Sequence, residues 1–141
     1  MAIISGGTVA PGAQSRKNVS IYEMENLAAG ADIAARPVFC APAEGAEITK
    51  LGFVPQGSSA GVDNSNTAVL AITDKAANSI ASVTYNTGTQ PPADGVYGSL
   101  GTLSTHAVLT GNEAVLLAVT QGATADLPGG LVVIEWVGYQ A

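Results

Sequence analysis

The chain has 141 residues and a formal net charge of −6, with 47% apolar residues and only 11% charged ones. That length suits one domain with a core of its own. The acidic balance argues against nucleic acid as a partner, because phosphate binding draws on Lys and Arg displacing counterions. Charged residues fall well below the roughly 25% usual in soluble proteins, so the surface is built mainly from Ser, Thr, Asn, Gln and Gly. Such a surface leaves neutral area for contact and points to burial in a larger assembly, with a weakly charged secreted β domain as the plainer alternative. No stretch approaches the ~20 apolar residues of a membrane-spanning helix, and Met1 to Gly7 lacks the features of a secretory leader. The expectation is a soluble protein made in the cytoplasm of the producing cell, with no membrane partner.

Residues 1–18 are rich in Gly, Ala, Ser and Pro, show neither helical nor strand periodicity, and read as an extended N-terminal arm carrying Arg16 and Lys17 but no acid. Residues 19–141 read as one all-β domain. Turn-forming clusters separate about eight strand-like segments, at 19–27, 32–41, 46–55, 67–73, 80–86, 103–109, 113–120 and 131–139. This is the spacing of a β-sandwich or barrel rather than of βαβ units. In the first segment Glu23 and Glu25 alternate onto one face. In the second, Cys40 lies in the apolar run Val38-Phe39-Cys40-Ala41 and reads as a small buried hydrophobe. Long polar loops occupy 56–66 and 87–102 and are candidates for partner contact. The Ala-rich stretches 26–35 and 73–82 allow at most one helical turn. In the last two segments both faces are largely apolar: Val115, Leu117 and Val119 oppose Leu116 and Ala118, and Val132, Ile134 and Trp136 oppose Leu131, Val133, Glu135, Val137 and Tyr139. Both are therefore expected to be central strands with the second face covered by another sheet or subunit.

Residues able to carry chemistry are few. His106 is the only histidine and Cys40 the only cysteine, a poor donor set for zinc or another transition metal. His106 is expected on a strand, facing solvent or a subunit boundary. Gly57-Ser58-Ser59-Ala60-Gly61 matches the G-x-S-x-G expression of serine hydrolases, but a loop and then a strand follow it where the nucleophile elbow needs a helix. Asp63 with Asn64 and Asn66 reads as an Asx-type turn rather than a calcium loop. Gly6-Gly7 and Gly129-Gly130 lack the Lys-Ser/Thr of a phosphate-binding loop. No catalytic residue, metal or cofactor is expected. Tyr85, Tyr97 and Trp136 leave a carbohydrate-stacking surface open as an alternative.

The Gly/Ala arm through Ser15-Arg16-Lys17, the stretch from Phe39-Cys40-Ala41-Pro42 to Ile48-Thr49-Lys50-Leu51, and the closing Gly130-Leu131-Val132-Val133-Ile134-Glu135-Trp136-Val137 together resemble small decoration (cement) proteins of tailed-bacteriophage heads. The resemblance is to those of the jelly-roll β-sandwich type, and it covers most of the chain as a pattern. It implies a non-enzymatic homodimer or homotrimer on the outer surface of the virion, bridging major capsid protein subunits. Arg16 and Lys17 are then candidate capsid contacts, and Leu131, Val133 and Val137 candidate subunit-interface residues. A tail- or fibre-associated β module and a carbohydrate-binding β-sandwich are the alternatives.

Overall fold

The computed structural model describes residues 14–139. Among these the strands are β1 (Gln14–Met24), β2 (Ile33–Cys40), β3 (Ala46–Pro55), β4 (Ala68–Asp74), β5 (Ser79–Tyr85), β6 (Gly98–Ser99), β7 (Val108–Leu109), β8 (Ala114–Gln121) and β9 (Gly130–Tyr139). A single 3-10 turn, Thr105–Ala107, lies between β6 and β7. Residues 1–13 of the expected arm lie outside the described residues, and β1 already begins at Gln14. Backbone pairing with β9 carries the polar stretch from Gln14 into the sheet, although its side chains give no apolar signal.

Two antiparallel sheets result. The first runs β1-β9-β3-β6, with β7 on the same flank of β3 as β6, and the second runs β2-β8-β4-β5. If β6 and β7 are taken as one interrupted strand, the eight strands have jelly-roll connectivity, with the chain passing repeatedly from one sheet to the other. As expected, β8 and β9 are central: β9 lies between β1 and β3, and β8 between β2 and β4.

Alternation along the strands builds the core between the sheets. Leu70 and Ile72 of β4, Val115, Leu117 and Val119 of β8, and Val132 and Ile134 of β9 are all buried. In β3 a register break between Ile48 and Lys50 shifts the parity, so Ile48, Leu51 and Phe53 all point inward. Gln121, at the end of β8, is a buried polar clamp. Its Nε2 donates to the carbonyls of Ala28 and Ala31, and its Oε1 accepts from the Leu127 N–H at 2.6 Å. It thereby ties the β1–β2 connection to the β8–β9 connection with its polar atoms satisfied.

Three sequence expectations need correction. Residues 103–109 are not a continuous strand: Gly101 takes a positive φ of 102°, and only Val108–Leu109 pairs with β3. The helical turn falls at Thr105–Ala107, where Ser104 caps it by accepting the His106 N–H at 3.1 Å. Cys40 is exposed rather than buried, because β2 is an edge strand whose alternation is broken between Ile33 and Arg36 and again between Pro37 and Phe39.

Leu117, fully buried where β8 crosses the core, reports on this packing. Leu117→Ala is expected to destabilise the fold by about 2–5 kcal/mol in denaturant unfolding, through lost burial and an unfilled cavity.

Candidate functional site

The first strand is turned opposite to its own pattern. Met24 is in the core, Tyr22 packs against it, and Ser20 Oγ accepts the Trp136 indole N–H at 3.0 Å. The mixed row Asn18, Ser20, Tyr22 and Met24 therefore faces inward. The row Lys17, Val19, Ile21 and Glu23 faces outward, with Val19 59% and Ile21 58% exposed. A strand with one wet face normally places its branched apolar residues on the dry side.

Register extends this row across the sheet. Glu23, Leu131 and Val54 lie abreast, then Ile21, Val133 and Gly52, then Val19, Glu135 and Lys50, then Lys17, Val137 and Glu47. At Gly52 the missing side chain is replaced by the ring of Tyr97, into which a Cβ would collide. Lys50 lies 4.8 Å from the centre of that ring and 3.9 Å from the Glu135 carboxylate. Burial, with Glu135 nearby, holds the Tyr97 phenol above its ordinary pKa. The face is thus an apolar patch crossed by the Lys50–Glu135 pair, with Glu23 and Lys17 at the two ends of its β1 row. The exposed large apolar residues among those described, Val19, Ile21, Val96, Tyr97 and Val108, all belong to this sheet or to the turn entering β6. The outward side of the second sheet carries mostly smaller groups, Ala71, Ala118, Thr73 and Thr120, with Val69 and Leu116 half-buried among them.

The residues singled out in the sequence fall as follows. Leu131 and Val133 are half-buried in the middle of this face. Val137 lies in its last row and is only 3% exposed, outside the inter-sheet core cluster. Arg16 and Lys17 belong to β1, and Lys17 is exposed on the outward row. Glu23 shares that row, whereas Glu25 lies beyond the strand and pairs with Arg36 at 2.6 Å. Both carboxylates border a surface depression with Met24, Asn26, Gln56 and Gly129. Tyr85, Tyr97 and Trp136 do not share a face. Tyr85 is buried, which pushes its phenol up to about 12, and Trp136 packs tilted against Phe39 at 5.2 Å between ring centres.

Ser59 sits in a loop with no helix after it; the neighbouring Ala60 bridges to Asp126. Asp63 forms the expected Asx turn, accepting from the N–H groups of Ser65 and Asn66 at 2.9 and 2.8 Å. Among the described residues no group of three or more His, Cys, Asp or Glu side chains could hold a metal ion. The chain matches no family model, and no curated protein or solved structure matches it.

Sequence reading missed the pairing of His106 with Asp74. Asp74, buried at the end of β4, accepts from the Ala76 and Asn78 N–H groups, both at 2.9 Å, and from Asn78 Nδ2 at 3.1 Å. His106 Nδ1 lies 3.4 Å from Asp74 Oδ2, the oxygen that also accepts Asn78 Nδ2. Burial raises the Asp74 pKa, but the Asn78 and Ala76 hydrogen bonds and the His106 charge outweigh it, leaving the carboxyl below its ordinary value. The arrangement organises the β4–β5 turn, where Ala77 takes a φ of 68°. A lowered folded pKa contributes stability above the unfolded value, about 4, and that contribution is lost as pH falls through the folded one. Thermal melts from neutral pH into acid should therefore show stability falling below about pH 4, with a shallower fall in Asp74→Asn than in the parent. Identical acid slopes would remove Asp74 from the account.

Proposed function

We propose that this chain is a structural binding module that attaches to the outside of a phage head and stabilises the shell by bridging major capsid protein subunits. The observation that carries the reading is the inverted first strand: Val19 and Ile21 face solvent beside Leu131, Val133 and Val54. An apolar patch of this kind on a chain with so few charges supports protein contact. The resemblance in sequence pattern supplies the identity of the partner. Attachment to the assembled shell alone stabilises it by mass action, since binding only one state shifts the equilibrium toward that state. No bond is made or broken. Arg16, at the head of β1, is the charge contact to the shell in this proposal, with Leu131 and Val133 as the packing surface.

The test is to mix purified protein with expanded heads that lack it and to image them by cryo-electron microscopy. Ordered density at regular lattice positions is expected. Leu131→Gln combined with Val133→Thr should cut occupancy by about tenfold, as expected for central anchors, while the isolated domain stays folded. Bare heads at saturating protein, or binding to tails or fibres instead, would overturn the reading.

A further inference from the structure

We propose that β1 pairs edge to edge with β1 of a second copy of this chain, antiparallel and centred on Ser20, joining the first sheets of two copies into one continuous sheet. The starting point is how the sheet edges are finished. An uncovered strand edge presents a row of backbone donors and acceptors ready to pair with another chain, and proteins usually blunt it. At the edge strand β2, Pro37 removes a donor and two register breaks disrupt the ladder. At β5 the chain after β6 returns to cover the edge, with the Ser104 N–H donating to the Ile80 carbonyl at 2.9 Å and Ser104 Oγ to the Ser79 carbonyl at 2.6 Å. On the open flank of β3, two short strands separated by the 3-10 turn cap the ends of the ladder. Among the described residues the edge of β1 carries neither a proline nor a covering segment, and its one register break lies at its start, between Gln14 and Lys17. From Lys17 to Met24 its register with β9 is unbroken.

The outward row of β1 is also self-complementary. In an isologous two-fold contact, residue i meets residue j and j meets i. With Ser20 on the axis, Lys17 lies opposite Glu23 of the second copy, Val19 opposite Ile21, Ile21 opposite Val19, and Glu23 opposite Lys17. Two opposite-charge pairs then bracket two pairs of branched apolar residues, which are the cross-strand combinations that stabilise antiparallel ladders. Moving the axis to Val19 sets Lys17 opposite Ile21, and moving it to Ile21 sets Val19 opposite Glu23 and Lys17 opposite Glu25, which lies beyond the strand and already pairs with Arg36. Within one chain Lys17 stands abreast of Val137 and Glu23 abreast of Leu131, so neither faces an opposite charge across the β1–β9 ladder. Lys17, expected from sequence to meet the shell, is thus assigned to the second copy. The outward faces of the two sheets stay uncovered and become continuous, doubling the surface that carries Leu131 and Val133. The inference stands on the strand edge and does not rest on the capsid reading: a chain that self-associates but leaves heads bare would keep the first and sink the second.

The experiment measures the mass of the full chain by analytical ultracentrifugation over a concentration series. The expected species is twice the 14.0 kDa chain mass. Lys17→Glu alone and Glu23→Lys alone each turn both charge pairs repulsive and should raise the dissociation constant by about tenfold. The combined exchange, K17E with E23K, restores opposite charges across the axis and should return the constant to near the parent value. Because a misfolded variant would not be rescued by a second charge reversal, recovery in the double variant separates pairing from folding. A parent chain that is monomeric throughout, an oligomer indifferent to the single reversals, or a double variant as weak as the singles would overturn the proposal.

Discussion

The position of β9 between β1 and β3 is the constraint on which the rest of the first sheet depends. Its inward residues Val132 and Ile134 supply core, and its Trp136 both packs on Phe39 of the opposite sheet and donates to Ser20 of β1. Because successive residues of a strand point to opposite faces, fixing Val132 and Ile134 inward fixes Leu131 and Val133 outward. The Trp136 hydrogen bond then fixes the parity of β1: with Ser20 inward, Val19 and Ile21 must face out. The exposed apolar patch is therefore a consequence of how the core is satisfied, since a one-residue slip of β1 would bury Val19 and Ile21 but withdraw Ser20 from the indole.

That coupling explains why the two sheets present different exteriors. The second sheet shows mainly small and hydroxylated residues outward and has both of its edges disrupted or covered. The first sheet concentrates its exposed branched and aromatic residues on one side and, among the described residues, leaves β1 regular and unpaired on its outer edge from Lys17 to Met24. Both proposals draw on this asymmetry, one on the face and the other on the edge. They are compatible because edge pairing extends a sheet without covering either of its faces.

Much of the architecture was legible in the sequence. Segment 46–55 coincides with β3, and the two-sided apolar character of β8 and β9 marked them as central because alternation survives wherever the ladder is unbroken. What escaped was set by long-range pairing. Residues 103–109 have strand-like composition, yet the opposing β3 receives them only at Val108–Leu109, and Ser104 caps a helical turn in between. Cys40 sits among apolar neighbours in sequence, but two register breaks and an edge position bring it to the surface. Asp74 and His106 are distant in sequence and meet only because the 3-10 turn packs over the β4–β5 end. For the candidate site, Leu131, Val133 and Val137 were read as candidate subunit-interface residues, on a strand whose two-sided alternation called for a covered second face. Val19 and Ile21 were not, because an alternating apolar row on a half-polar strand normally means burial, and the Trp136–Ser20 bond together with the inward packing of Tyr22 and Met24 reverses it.

The outward orientation of Val19 and Ile21 is the central claim, and single cysteines along β1 test it most directly. In a background with Cys40→Ala, the folded variants Val19→Cys, Ser20→Cys and Ile21→Cys would be compared for their rate of reaction with a thiol reagent. Fast labelling at positions 19 and 21 and slow labelling at 20 are expected. Fast labelling at 20 with protection at 19 and 21 would contradict the outward orientation, and would turn the apolar row of β1 into ordinary core.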